Sequence, residues 1–159
     1  MHTVPWLSGE ELLAWRTFFQ GAALLNDTLD RDLQVHGVSL SEYDILVCLS
    51  EADGLRLRMS ALAQRVVQSR SRLTHTAARL ERRGWVQRRP APGDRRGVEL
   101  FLTEAGYVAT QALTPIHMAG VRRHLLDHIT IEQLRLMAEA MTAVRSAILG
   151  EPGGDSHAR

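Results

Sequence analysis

Residues Ser69 to Gly97 read SRSRLTHTAARLERRGWVQRRPAPGDRRG and contain the most informative pattern in the chain. At about 100° per residue, Leu73, Ala77 and Leu80 fall on one side of a helix, and short polar or basic side chains fall opposite. The pattern predicts a helix from Ser69 to Arg83. This helix should have one face in the core and one polar, basic face exposed to its surroundings.

A short β-ribbon is predicted to follow this helix. Gly84 favours the left-handed conformation in which helices end, and the next residues, Trp85 to Arg89 (WVQRR), have strand character. Ala91 to Gly93 (APG) is a turn signal, and Gly97 to Leu102 (GVELFL) alternates as a second strand. The tip of the ribbon would then carry an acid and two arginines: Asp94, Arg95 and Arg96.

The charge of the chain is concentrated in this region. Twelve arginines and two acids lie between Arg56 and Arg96, a local balance of +10, whereas the remaining residues carry seven arginines and sixteen acids, or −9. The formal net charge of +1 therefore conceals a basic block on an acidic body. Such asymmetry is typical of a surface that meets a polyanion, and it indicates nucleic acid as the partner.

Two predicted helices precede the basic block. Ser8 with Glu11 forms a capping box, and apolar residues recur at helical spacing to about Val35. The apolar arc is wider than one packing face needs, so we expect part of this helix to meet a second chain. Ser39 with Glu42 forms another capping box, which opens a compact helix ending near Gly54.

Shorter elements connect these helices to the basic block and follow it. Leu55 to Arg58 alternates and is predicted to add a third strand, and Ser60 begins a brief helix. After the ribbon, Thr103 caps a helix that extends to about Leu126. Thr130 with Gln133 caps the last helix, whose near-heptad apolar stripe suits pairing with another helix. Residues 150–159 are predicted to be a flexible tail.

Composition limits the class of protein. With 159 residues, 45% of them apolar, the chain suits one mainly α domain with a small β element. It has no segment resembling a membrane span or a signal peptide, and it has one cysteine, Cys48, so we expect a cytoplasmic protein. Cys48 lies in an apolar run, as a buried, inert thiol would. The GxSxG, GxGxxG and HExxH patterns do not occur, so neither enzyme activity nor a cofactor is expected.

The segment Met59 to Gly106 resembles the winged helix-turn-helix core of the MarR family of bacterial transcriptional regulators. The likeness rests on the SxLA helix at Ser60 to Ala63, the pattern SRSRLT...RLERRGWV, and the wing sequence DRRG followed by LTEAG. It implies one domain over residues 1–149, with a DNA-binding lobe at 39–102 and dimerisation helices at 8–36 and 103–149. It also implies a homodimeric repressor on a pseudo-palindromic operator, released by a small aromatic or anionic effector.

Residue positions suggest how such a protein would contact double-stranded DNA. An α-helix fits the major groove, and the helix that begins at Ser69 offers four side chains to base edges: Ser71, Arg72, Thr74 and His75. Arg70 and Arg79 would lie near phosphates, and Ser69 at the start of the helix is a further predicted DNA contact. In the wing, Arg95 and Arg96 would reach the minor groove or its phosphates, and Asp94 would orient one of them by an ion pair.

Other functions stay open at this stage. Trp15 and Arg16 are candidate effector contacts, although Trp15 and Phe19 suit a packed core better than a ligand cage. A metal-sensing regulator could use three histidines in the C-terminal third of the chain: His117, His124 and His128. A helical interaction scaffold that does not bind DNA would explain the amphipathic terminal helices but not the basic block.

Overall fold

A computed structural model describes residues 6–150, with the backbone alone described for Arg95 and Arg96. The elements in chain order are α1 (Gly9–Gln34), α2 (Leu40–Ser50), a 3-10 turn (Asp53–Leu55), β1 (Arg56–Arg58), α3 (Met59–Arg65), α4 (Arg70–Arg82), β2 (Val86–Ala91), β3 (Asp94–Leu102), α5 (Glu104–His124), a second 3-10 turn (Leu126–His128) and α6 (Ile131–Leu149). The predicted class, mainly α with a small β wing, is confirmed. Of the predicted tail, residues 151–159 lie outside the described residues.

Reciprocal capping boxes begin three of the helices, as the sequence predicts. In each box the cap side chain accepts a hydrogen bond from the third helical residue, whose own side chain accepts one from the cap backbone. The pairs are Ser8 with Glu11, Ser39 with Glu42, and Thr130 with Gln133. Ser69 caps α4 by accepting from the Arg72 amide at 3.2 Å.

Two predicted boundaries were wrong. Helix α2 ends at Ser50 rather than near Gly54, because Ala52 is extended and Gly54 lies in a separate 3-10 turn with φ of 65°. The ribbon is also tighter than expected. Ala91 pairs with Asp94, so the turn consists of Pro92 and Gly93, and Asp94 begins β3 instead of occupying the tip.

The sheet is antiparallel with strand order β1-β3-β2, which confirms the predicted third strand before the short helix. Leu57 pairs with Leu100, and Val86 pairs with Leu102. Because successive side chains alternate across a strand, this register turns Val86, Leu100 and Leu102 into the core and leaves Arg56, Arg58 and Arg89 exposed. Arg88, two residues after Val86 and paired with Leu100, lies on the same side of the sheet as Val86 and is half-buried.

The chain divides into two compact units, Met1–Gly120 and Val121–Arg159. In the first unit, Leu73, Ala77 and Leu80 are buried in the core, as predicted. They pack with side chains from the neighbouring elements, namely Leu33, Ile45, Leu46, Leu49, Leu62 and Leu100. The opposite face of α4 is therefore exposed on the surface of this unit. None of the described residues in the second unit is buried.

At the LTEAG motif, the backbone at Gly106 packs closely against the backbone at Trp85, just after α4. A Cβ at Gly106 would lie 2.1 Å from the carbonyl oxygen of Trp85 and 2.8 Å from Cδ1 of Leu102. Thr103 donates to the carbonyl of Gly84 at 2.7 Å and accepts from the Gly106 amide at 3.1 Å. Glycine at 106 thus lets α5 begin directly against the end of α4.

The N-terminal part of α1 does not pack on the core of its own chain. Every residue from Trp6 to Gln20 is exposed, including Trp15 at 52% and Phe19 at 60%. The expectation that these two rings suit a core position therefore fails within a single chain. None of the helices in residues 6–150 is both long and apolar enough to cross a membrane.

Candidate nucleic-acid interface

Helix α4 presents the predicted contact residues together. Its seven candidates are all exposed, whereas the residues between them that face inward are buried. The exposed set is Ser69, Arg70, Ser71, Arg72, Thr74, His75 and Arg79. The hydroxyl of Thr74 donates to the carbonyl of Arg70 at 2.8 Å, so its proton is used within the helix and its oxygen can still accept.

Arg79 has a partner inside the protein. Its Nε donates to Oε1 of Glu42 in α2 at 3.1 Å, and the Glu42 side chain is only 4% exposed while that of Arg79 is 47% exposed. Glu42 was identified from the sequence as a capping residue, but its pairing with α4 was missed. The two residues are 37 apart in sequence, and no local pattern links them.

The environment of Glu42 favours its charged form. Burial on its own would raise the pKa of this carboxyl, but hydrogen bonds from the Ser39 backbone, Arg79 and the Ser39 hydroxyl, with the Arg79 charge, outweigh it. The pKa of Glu42 therefore lies below its usual value. At neutral pH the residue is a buried carboxylate whose charge is balanced by Arg79.

Arg88 of β2, also missed from the sequence, connects the wing to α4. Its Nη2 donates to the carbonyl of Thr74 at 2.9 Å, and its backbone amide donates to Oε1 of Glu81 at 3.0 Å. The Arg88 guanidinium also lies 3.6 Å from Glu81 Oε2. Glu81 is one of only two acids in the basic block, and this position among arginines could have indicated from the sequence that Glu81 pairs with one of them.

The second acid of the block has a partner on β1. Arg58 Nη1 donates to Oδ2 of Asp94 at 3.1 Å, joining the edge strand to the start of β3. The side chains of Arg95 and Arg96 lie outside the described residues, so their pairing with Asp94 and their reach into a groove stay predictions. The structure adds Arg58 as an Asp94 partner that the sequence did not indicate.

A pocket of about 430 Å³ lies between α4 and the wing. Three arginines from different elements line it, together with the small polar groups of Ser60 and Thr74: Arg58, Arg70 and Arg88. Two of these arginines have acidic partners, whereas Arg70 has none among the described residues. Asp94 also lines the pocket, so the guanidinium of Arg70 is the lining group best suited to bind an anion such as a backbone phosphate.

The candidate effector residues Trp15 and Arg16 lie on the exposed part of α1 and line none of the pockets described here. The Trp15 ring lies 5.4 Å from that of Phe19 and 6.4 Å from that of Phe18, which forms an aromatic cluster on an exposed helix, and Arg16 is exposed beside it. A different pocket, of about 390 Å³, lies between α2, α3 and α5. Its lining includes Tyr43, Asp44, Cys48, Arg65 and His117, of which the sequence had suggested only His117, as a metal ligand.

Titratable groups in this second pocket are shifted by burial. Desolvation raises the pKa of Asp44 and lowers that of His117, whose ring lies 4.7 Å from the ring of Tyr43. Burial, reinforced by Asp44 and Glu51 and opposed by Arg65, raises the pKa of Cys48. A raised pKa lowers the thiolate fraction, which agrees with an inert thiol.

The three histidines considered for metal sensing do not form a metal centre with one another. Within residues 6–150, no three His, Cys, Asp or Glu side chains come together in a way that could hold a metal ion. Nε2 of His128 lies 3.0 Å from the carbonyl oxygen of Arg123. His117 instead packs on Tyr43, while His124 lies in the last turn of α5.

Comparisons with known proteins agree with this geometry. A model of the MarR family matches residues 38–98. The chain is 40% identical to Sco3205, a MarR family transcriptional regulator from Streptomyces coelicolor solved in complex with DNA, over 92% of each chain and with a TM-score of 0.87. It is 39% identical to AbsC, another MarR family regulator from Streptomyces coelicolor, over 92% of this chain and 99% of that one, with a TM-score of 0.86. It is also 29% identical to the HTH-type transcriptional regulator PecS of Dickeya dadantii (strain 3937), over 84% of this chain and 81% of PecS.

Proposed function

This chain belongs to the MarR family of transcriptional regulators, and from that premise we propose that it represses transcription as a homodimer bound to a pseudo-palindromic operator. It is a DNA-binding regulator and not an enzyme. The observation that carries the proposal is the exposed, basic outer face of α4, fixed by the buried residues on its other side. A helix held in this way can enter the major groove.

The roles of the contact residues follow from their positions. Ser71, Arg72, Thr74 and His75 would meet base edges, because they lie in the N-terminal half of α4 and are exposed. Ser69 and Arg70, at the start of the same helix, would meet phosphates. Arg95 and Arg96 in β3 would contact the flanking DNA from the wing, and Asp94 would orient one of these guanidiniums by an ion pair.

The homodimer is supported by two apolar faces, each considered alone. Helix α1 exposes aromatic and aliphatic side chains over its N-terminal half, including Leu13, Phe18 and Phe19. Helix α6 exposes a stripe that includes Met137, Met141 and Val144. Contiguous exposed apolar surface on this scale is typical of a protein interface. A two-fold dimer then matches an operator with half-sites about one helical turn apart.

Repression and release complete the proposal. A dimer seated on its operator blocks the access of other proteins to the same DNA, and a small aromatic or anionic effector would release it. Trp15 and Arg16 are the proposed contacts for that effector, since an indole and a guanidinium would suit an aromatic anion. The protein would then act in the cytoplasm, where it binds chromosomal DNA.

Selection of bound fragments from the host genome tests the proposal. The purified protein is mixed with sheared genomic DNA, and the retained fragments are sequenced. We expect enrichment of a short inverted repeat that the protein binds as a dimer in a gel-shift assay. A protein that shifts no double-stranded DNA even at low salt would instead favour the helical scaffold.

A further inference from the structure

Two arginines connect α4, the proposed DNA-recognition helix, to the corner between α1 and α2, residues 37–42. Arg79 Nε donates to Glu42 Oε1 at 3.1 Å, and Arg83 Nη2 donates to the carbonyl oxygen of Gly37 at 2.5 Å. Positions four apart lie on the same side of a helix. The two hydrogen bonds therefore form a two-point clamp along one edge of α4, which we call the corner clamp.

The corner is itself attached to α1. The Leu40 amide donates to Asp30 Oδ1 at 2.7 Å, and the Val38 amide donates to the carbonyl of Leu33 at 3.3 Å. The Glu42 carboxylate also accepts from the Ser39 amide at 2.8 Å and from the Ser39 hydroxyl at 3.0 Å. Asp30 and Leu33 are α1 residues, so the corner clamp connects the recognition helix directly to the C-terminal end of α1.

A buried acidic partner distinguishes Arg79 from the other arginines of α4. A carboxylate that is 4% exposed is costly to leave without a cation, so Glu42 holds the guanidinium of Arg79 whether or not DNA is present. Arg70, Arg72 and Arg82 are exposed and have no acidic partner among the described residues. Arg79 thus differs from its neighbours in being engaged by the protein.

We propose that Glu42 and Arg79 are positioning residues that fix the recognition helix relative to α1 and so set the half-site spacing that the dimer accepts. The inference rests on the proposed function, because spacing has meaning only for a dimer on two half-sites. Helix α1 carries the apolar face assigned to the dimer, and the clamp links that helix to α4. This assignment replaces a phosphate contact as the role of Arg79.

One substitution tests the corner clamp without removing the helix cap. Glu42→Gln removes the charge that faces Arg79 but retains an acceptor for the capping box. The Thr130 box of the same chain already works with glutamine, since Gln133 Oε1 accepts from the Thr130 amide at 2.8 Å. Arg79→Gln removes the other partner, and the double variant closes a thermodynamic cycle. Arg70→Gln is the matched control, an exposed arginine of α4 that has no acidic partner among the described residues.

Binding is measured on the selected operator and on versions with one base pair added or removed between the half-sites, at several salt concentrations. Glu42→Gln and Arg79→Gln should each reduce the preference for the native spacing by about tenfold, and the double variant should be no worse than either. Their salt dependence should match that of the wild type. Arg70→Gln should keep the spacing preference and flatten the salt slope by about one unit per subunit.

Amide hydrogen exchange of the free protein provides a readout without DNA. Exchange in α4 should accelerate in both clamp variants and stay unchanged in Arg70→Gln. The inference is wrong if Arg79→Gln flattens the salt slope as Arg70→Gln does, and still does so in the Glu42→Gln background. If the wild type binds no DNA, both the proposed function and the role in half-site spacing are wrong. If amide hydrogen exchange in α4 is the same in all variants, the corner clamp is wrong but the proposed function is unaffected.

Discussion

At the scale of single residues, the arginines of the basic block fall into two groups. Arg56, Arg58, Arg79 and Arg88 have acidic partners within the protein, whereas Arg70 and Arg72 have none among the described residues. All of them lie in the basic block, and their positions in the sequence do not separate the two groups. The partners come from distant elements, 36 and 37 residues away for Arg58 and Arg79, and local patterns do not encode such contacts.

The Glu42 carboxylate should make stability depend on pH in a defined window. Its pKa in the folded protein is lowered from 4.5, so its contribution is present above the unfolded pKa and is lost as pH falls through the folded pKa. The wild type should therefore be more stable than Glu42→Gln at neutral pH, and the difference should shrink below about pH 4.5. Urea unfolding of both proteins from pH 7 to pH 3 measures this. A difference that stays constant with pH would show that the charge of Glu42 contributes nothing.

Cys48 should not act as a redox switch. Burial and the neighbouring carboxylates raise the pKa of its thiol, so little reactive thiolate exists at neutral pH. DNA binding should be insensitive to mild peroxide in the wild type, and Cys48→Ser should behave in the same way. Gel shifts with and without peroxide check this. A peroxide-dependent loss of binding that Cys48→Ser abolishes would refute it.

At the scale of elements, the sequence predicted the starts of helices better than their ends. Capping boxes are local, so Ser8, Ser39 and Thr130 could be identified from residues three positions apart. The end of α2 was missed because an extended Ala52 and a 3-10 turn precede Gly54, and the tip of the wing was missed because pairing between strands decides it. Ala91 pairs with Asp94 across a two-residue turn, and that register is not visible in composition.

The start of α5 offers a test of close packing. Gly106→Ala would place a methyl group 2.1 Å from the Trp85 carbonyl oxygen, so we expect a loss of about 3 kcal/mol in the free energy of unfolding. Gly21→Ala in α1 is the control, because its added Cβ has nothing within 4 Å. The control should be neutral or stabilise by about 0.5 to 1 kcal/mol. Denaturant midpoints of both variants measure the contrast, and similar midpoints would argue against the close approach.

In the whole molecule, the proposed homodimer joins two copies of the chain through surfaces that a single copy leaves exposed. The exposed aromatic face of α1 was partly anticipated from its wide apolar arc, but the sequence could not say which rings would remain outside the core. Phe19 and Trp15 are exposed in the single chain, and a partner surface would cover them. Their role therefore depends on assembly and not on the fold of one copy.

Placing a charge on this face should dissociate the proposed dimer. Phe19→Glu puts a carboxylate where a 60% exposed ring now lies, and its desolvation in an interface would cost several kcal/mol. We expect a monomer in sedimentation equilibrium and a large loss of operator affinity. Gln20→Glu adds the same charge at the next exposed position and serves as the comparison. An unchanged dimer in Phe19→Glu would remove this part of α1 from the interface.

Competition binding of His75→Ala determines whether α4 reads DNA sequence. The variant and the wild type are titrated with the selected operator and with random DNA at two salt concentrations. If His75 meets a base, His75→Ala should cost about 1 to 3 kcal/mol per affected base contact on the operator and little on random DNA, with the salt slope unchanged. Equal loss on both DNAs, or no loss on the operator, would contradict base reading by this residue of α4.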